Sequence, residues 1–324
     1  MAHLRYQQAM VKALRDAMLR DPSVFIIGED VRQSLRGVSK GLFQELGPDR
    51  VLDTPLSEQA FTGFATGAAL AGRRPIVEFQ IPSLLFLAFE QIANQAQKFS
   101  LMTGGQANVP VTYLIPGSGA RLGLAGQHSD HPYQFLVHAG VKTVLPATAY
   151  DAYGLFLSAI EDDDPVAFFA PAAVLPRRDE VPEEPYSIEL GTGRIHREGD
   201  DVTVVAVGHL VHDALAVAQE MAEEVSIEVF DPRTLHPFDW ELLAESVAKT
   251  GRLVAFDDSN RSGGLAAEVL ATATEEMELR APPKRVTRAD VVVPFAVGLE
   301  RAVLPSQEQL AKAVRDVMRE KVRR

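Results

Sequence analysis

Short apolar runs alternate with longer amphipathic stretches along the whole chain. Val24-Phe25-Ile26-Ile27-Gly28 is continuously apolar, the pattern of a strand buried on both faces. Before it, Tyr6 to Arg20 places apolar residues at helical spacing. The same reasoning predicts strands over Pro75–Phe79, Val111–Ile115, Val141–Leu145 and Val166–Phe169. Helices over Ser57–Ala71, Leu84–Met102 and Tyr150–Ile160 are interleaved with them. This alternation implies an α/β domain with a parallel sheet covered on both faces.

Pro171 to Pro185 carries four prolines, several acids and the Arg177-Arg178 pair. Proline removes backbone donors and blocks helix, so the stretch predicts a connector. After it the alternation restarts. Strands are expected over Val202–Val207, Val225–Phe230 and Leu253–Phe256. Helices are expected over His212–Glu223, Glu241–Lys249, Gly264–Met277 and Gln307–Lys321. The resulting organisation is an α/β domain over 1–175, a connector over 176–189 and a second α/β domain over 190–324, both with mainly parallel sheets. A length of 324 residues agrees with two domains at roughly 150 residues each.

Composition narrows the function. With no cysteine, disulfides, thiolate metal sites and cysteine nucleophiles are excluded, and a reducing cytoplasm is the expected compartment. A net charge of −12 argues against nucleic acid and anionic membranes as partners and suits a basic protein. The most apolar stretches, Ile81–Phe89 and Val202–Val207, are too short to span a bilayer, and the first residues show no signal-peptide pattern.

Three stretches could carry chemistry. In Asp53-Thr54-Pro55-Leu56-Ser57-Glu58 a strand ends, Pro55 delays the helix, and Thr54 or Ser57 can cap it. Glu58 then lies in the first helical turn, beyond the carboxyl end of a parallel strand, where open α/β sheets bind ligands. Spacing alone equally allows an acid that only complements the helix dipole. The second stretch runs from Pro116 to His131 and holds four glycines followed by His128 and His131. It is neither a P-loop nor a dinucleotide fingerprint. The histidines suit a substrate carbonyl or carboxylate better than a metal, which needs three or four ligands, and uncommitted surface histidines are the alternative. The third, Glu161-Asp162-Asp163-Asp164, is a solvated helix end or a hard-cation site.

Taken in order, Ile27-Gly28-Glu29-Asp30-Val31, Gly47-Pro48-Asp49-Arg50-Val51, Asp53 to Glu58, Arg74 to Phe79, Gln127-His128-Ser129 and Phe230 to Leu235 resemble one family. It is the β subunit of the E1 component of 2-oxo acid dehydrogenases, of the pyruvate, branched-chain or acetoin type. The resemblance spans nearly the whole chain and implies transketolase-like pyrimidine-binding and C-terminal domains. It implies thiamine diphosphate shared with an α subunit in an α₂β₂ heterotetramer, and a lipoyl-bearing acyltransferase core as a further partner. The chain has no Gly-Asp-Gly…Asn signature, so magnesium is expected on the α subunit.

By this resemblance Glu58 bonds a ring nitrogen of the cofactor's aminopyrimidine. Protonation there favours the imino tautomer that removes the thiazolium C2 proton. His128 matches an active-site histidine that assists substrate binding or acyl transfer to lipoyl. Leu84 stands where relatives place an aromatic residue against the pyrimidine. Val111, Ala159, Asp162 and Asp164 match a potassium site of some relatives. Ala170-Pro171-Ala172 replaces the usual Glu-Pro-Lys, and Arg121 and Leu122 stand where small residues are common. The implied activity is decarboxylation of a 2-oxo acid with transfer of the acyl unit to lipoyl. A two-chain carboligase with an aldehyde or keto acceptor, and a non-catalytic assembly subunit, are the alternatives.

Overall fold

The structure is a computed structural model and describes residues 1–120 and 123–320. Arg121, Leu122 and the expected helix end at Lys321 therefore lie outside the described residues. Two compact units account for the chain, Met1–Gly119 with Gln127–Leu190, and Ala120–Gly126 with Gly191–Arg324.

The first unit runs β1 (Ala2–Arg5), α1 (Tyr6–Arg20), β2 (Val24–Gly28), α2 (Leu42–Leu46), β3 (Val51–Asp53), α3 (Glu58–Leu70) and β4 (Arg74–Glu78). It continues with α4 (Leu85–Glu90), α5 (Phe99–Met102), β5 (Thr112–Ser118), α6 (Tyr133–His138), β6 (Lys142–Val144), α7 (Ala149–Glu161), β7 (Val166–Pro171) and β8 (Arg178–Val181). Six of its strands form a parallel sheet in the order β6-β7-β5-β4-β2-β3. All five residues of β2 are buried, as expected for a strand with helices on both sides. On one face α1 packs against α7, where Met10, Leu14, Tyr153 and Phe156 are fully buried. Burying a side chain of this size is worth about 1.5–3 kcal/mol. Helix α7 starts where the Thr148 side chain accepts a hydrogen bond from the Asp151 amide.

Two expectations change. The helix predicted over Leu84–Met102 is broken. A 3₁₀ turn, Pro82–Leu84, precedes α4, and a π-helical turn, Gln91–Ala96, lies between α4 and α5. The stretch read as connector also contains β8, which pairs antiparallel with β1. Its prolines flank this strand without interrupting it, so they leave the pairing amides in place.

The second unit runs β9 (Arg194–Arg197), β10 (Val202–Ala206), α8 (Leu210–Glu220), β11 (Ile227–Asp231), β12 (Thr234–His236), α9 (Trp240–Thr250) and β13 (Leu253–Asn260). It ends with α10 (Leu265–Glu276), β14 (Lys284–Arg288), α11 (Val297–Val303) and α12 (Gln307–Arg319). Its sheet has the order β14-β13-β10-β11-β9, parallel except for β9. Ser306 and Gln309 form a reciprocal cap at the start of α12. Gly251 ends α9 in the left-handed conformation, φ 66°.

Candidate functional site

Strands β3, β2 and β4 lie side by side in register, with Gly28 opposite both Asp53 and Glu78. The segments that follow them therefore leave the sheet at one carboxyl edge. A Cβ on Gly28 would lie 2.5 Å from the Glu78 carbonyl oxygen, so only glycine lets β2 and β4 approach this closely. Pro55 holds the chain after β3 out of helix, and α3 begins at Glu58. Ser57 precedes it without capping it; its hydroxyl donates to the Pro55 carbonyl at 2.9 Å.

This register brings together carboxyl groups that spacing alone did not connect. Glu58 and Glu29 are each only 8% exposed, and they lie near enough for the charge of Glu58 to act on Glu29. Glu29 is pushed up to about 7 by burial first, then by the charge of Glu58. Glu78 is fully buried, and burial pushes it up to about 8 against the opposing pull of Gln80 and Arg36. Gln80 ties the two together, its Nε2 donating to the Glu29 carbonyl at 2.7 Å and to Glu78 Oε1 at 3.1 Å. Among the described residues, Glu29 Oε1, Glu78 Oε2 and Gln80 Oε1 are buried with no hydrogen-bond partner. The edge thus holds acids that retain protons near neutrality and acceptor atoms that lack donors. Such a set suits a basic ring nitrogen, which can take and return a proton.

Leu84 ends the Pro82–Leu84 turn and is half-buried. The neighbouring Ser83 hydroxyl donates to the Asp130 carboxylate, which ties this turn to the segment after the glycine-rich loop. His128 is half-buried in a 3₁₀ turn, Gly126–Ser129. Among the described residues no hydrogen bond or ion pair joins His128 to Glu58. His131 is different. It is buried, shares a 3.0 Å hydrogen bond with Ser118 and packs beside Tyr133 and Phe169. Its position is that of a core histidine at the end of β5.

The four residues matched to a potassium site form a corner of the first unit away from this carboxyl cluster in sequence and sheet position. Asp162 grips Lys142 Nζ through both oxygens at 2.8 Å, and Asp164 reaches the same ammonium at 3.0 Å. The Asp162 carbonyl accepts from Arg74 at 2.9 Å. The Ala159 carbonyl accepts from the Thr112 hydroxyl, and the Val111 carbonyl from the Val166 amide, each at 3.0 Å. The corner holds an ion pair of Lys142 with Asp162 and Asp164 beside these carbonyls.

Comparison with known proteins places the chain. Residues 2–177 match the family described as "Transketolase, pyrimidine binding domain", and residues 191–310 match "Transketolase, C-terminal domain". The chain is 40% identical to the β subunit of acetoin:2,6-dichlorophenolindophenol oxidoreductase of Bacillus subtilis, covering 96% of each chain. It is 39% identical to the pyruvate dehydrogenase E1 component subunit β of Rickettsia felis, over 96% of this chain and 97% of that one. It is 38% identical to a mitochondrial pyruvate dehydrogenase E1 subunit β-2 of Oryza sativa subsp. japonica, over 95% and 85%. In fold it is similar to a split-gene transketolase solved as an inactive β4 tetramer, with TM-score 0.80, 24% identity and 99% of this chain covered.

Proposed function

The chain belongs to the β-subunit family of thiamine-diphosphate-dependent E1 enzymes, built from transketolase-type pyrimidine-binding and C-terminal domains, and from this we propose that it is the β half of a two-chain 2-oxo acid dehydrogenase E1. The observation that carries the reading is the buried Glu29–Glu58 carboxyl pair at the sheet edge. Bound thiamine diphosphate supplies the electron sink that lets a 2-oxo acid lose carbon dioxide. Glu58 shares a proton with the aminopyrimidine ring nitrogen. Glu29, pushed up to about 7 mainly by burial, stands beside Glu58 as a second carboxyl group that can hold a proton near neutral pH. Leu84 gives the pyrimidine an apolar contact without ring stacking. His128, half-exposed, assists substrate binding or acyl transfer to a lipoyl arm.

The diphosphate end and its magnesium belong to the α partner in an α₂β₂ heterotetramer. The net charge of −12 suits docking to a basic module of an acyltransferase core. Absence of cysteine fits a reducing cytoplasm.

The test is reconstitution with an α subunit and assay on pyruvate, branched-chain 2-oxo acids and acetoin, with a redox dye as electron acceptor. Dye reduction dependent on thiamine diphosphate, and lost in Glu58→Gln, is the expected result. A pair that reduces no acceptor but joins a 2-oxo acid to an aldehyde is a carboligase, and the dehydrogenase reading falls.

A further inference from the structure

The glycine-rich stretch ahead of His128 is divided between the two compact units. The chain leaves the first unit after Gly119, runs through the second from Ala120 to Gly126, and returns to the first at Gln127. Residues of the first unit close the neck of this excursion. The Gly119 amide donates to the Asp130 carbonyl at 2.9 Å, and the Asp130 carboxylate accepts from Ser83, beside Leu84.

The backbone of the excursion is strained. Gly123, Ala125 and Gly126 have φ of 64°, 57° and 45°, so Ala125, a buried residue with a Cβ, also occupies the left-handed region. Such a conformation persists only where the surroundings over-determine it. Here the surroundings are residues 293–304 of the second unit. Ala120 packs with Val293, Val303 and Leu304. The Gly126 amide donates to the Val293 carbonyl at 3.1 Å. The Gly123 amide donates to Glu300 Oε2, also at 3.1 Å. The tie to Val293 uses a backbone carbonyl, which any residue at 293 would supply. The tie to Glu300 needs this side chain.

Glu300 lies in the first turn of α11. An acid there can serve the helix dipole alone, and for that it can stay at the surface. Glu300 is instead 4% exposed. A carboxyl group taken out of water needs hydrogen bonds to offset its burial, and among the described residues its side-chain partner is the Gly123 amide. The buried acid and the strained loop thus meet in one hydrogen bond. His128 stands two residues beyond Gly126, in the turn Gly126–Ser129, so slack in the loop passes along the backbone to the imidazole.

We propose that Glu300 is a positioning residue for His128: by holding the Gly123 amide, its carboxyl group fixes the strained loop that aims the imidazole. It acts through the loop, and its part in turnover rests on the E1 reading of His128.

Three substitutions in the full chain test this. Glu300→Ala removes the acceptor, Glu300→Asp withdraws it by one methylene, and Glu300→Gln keeps it. On the isolated chain, hydrogen exchange of the peptide spanning 120–126 should quicken about tenfold in Glu300→Ala, the size expected for loss of one hydrogen bond. The imidazole resonances of His128, assigned with His128→Asn, should shift in the same variant. Both readouts should return to wild-type values in Glu300→Gln. In the pair reconstituted with an α subunit, kcat/KM for the 2-oxo acid should fall about tenfold in Glu300→Ala and recover in Glu300→Gln, while thiamine diphosphate affinity stays unchanged. A melting curve shows whether Glu300→Ala is folded, and Glu300→Asp supplies the same readouts where it is not. Loop exchange and His128 resonances that stay at wild-type values in Glu300→Ala and Glu300→Asp would overturn the proposal. A Glu300→Gln chain as perturbed as the alanine variant would also overturn it, and full turnover with a loosened loop would overturn its part in the reaction. The exchange and resonance measurements need neither partner nor cofactor, so a wild-type pair without oxidative activity would end the E1 reading while these two still decide whether Glu300 positions His128.

Discussion

A carboxyl group buried beside another carboxyl group cannot ionise as readily as one in water. Glu58 was legible as a site candidate because Pro55 and the strand-to-helix change mark its place in the sequence. Glu29 and Glu78 were visible only as parts of apolar-flanked motifs. Their proximity depends on the parallel register that sets Gly28 opposite both Asp53 and Glu78, and no local spacing encodes that register. Two outcomes follow at this scale. Glu58→Gln is nearly isosteric but cannot share a carboxyl proton, so turnover of the reconstituted pair should fall by about 10²–10⁴ with the fold intact. Steady-state kinetics beside a melting curve checks this, and activity within about threefold of wild type would remove Glu58 from the mechanism. The second outcome concerns Glu78, whose folded-state value of about 8 lies above its ordinary 4.5. The native state then binds more protons than the unfolded chain between those values. Stability from this group is present below the unfolded value and is lost as pH rises through about 8. Glu78→Gln stays neutral and can still accept from Gln80. Its melting temperature should gain on wild type as pH rises from about 5 to about 8. Parallel pH curves for the two proteins would contradict the buried neutral acid.

At the scale of elements, the period of the pattern was read correctly for strands sandwiched between helices, because burial on both faces leaves continuous apolar runs. It failed where tertiary pairing decides. The run from Leu84 to Met102 has neither glycine nor proline inside it, so nothing local marks the π-helical turn at Gln91–Ala96. The apolar pattern also extends to Leu101 and Met102, which are 84% and 77% exposed in this chain. Strand β8 was hidden by its flanking prolines, since its partner is the chain's own beginning. The close approach of β2 and β4 gives a sharp test. In Gly28→Ala the new Cβ must displace the Glu78 carbonyl, which is backbone and cannot swing away. Overpacking of this kind costs about 1–3 kcal/mol. Gly67→Ala in α3 meets nothing within 4 Å and should be neutral or stabilising by up to about 1 kcal/mol. Denaturant midpoints of the two variants should move in opposite directions or differ clearly. Equal midpoints would mean that the β2–β4 contact is not as tight as described.

At the scale of the whole molecule, two α/β units were legible because the alternation stops at a proline-rich stretch and restarts. The proposed division of the site between two chains rests in the sequence on a missing motif. No Gly-Asp-Gly…Asn segment is available to hold a diphosphate and magnesium beside Glu58. The surface agrees with a missing partner. Helix α3 packs against α4, and on these neighbouring helices Phe64, Phe86 and Leu87 are 56%, 48% and 59% exposed, with Leu56 at 81% just before α3. Large exposed apolar side chains on neighbouring helices suit a surface that another chain covers. In the proposed split site the carboxyl pair at the start of α3 would offer the cofactor only its pyrimidine contacts. Binding through that end alone forgoes the charge interactions of the diphosphate, and affinity should be low. Calorimetry on the isolated chain with thiamine diphosphate and magnesium should show no micromolar binding at the carboxyl pair. Adding an α subunit should produce tight, magnesium-dependent binding together with a mass equal to two copies of each chain. Micromolar binding by the isolated chain, abolished by Glu58→Ala, would show that this chain builds the whole cofactor site itself and would end the split-site reading.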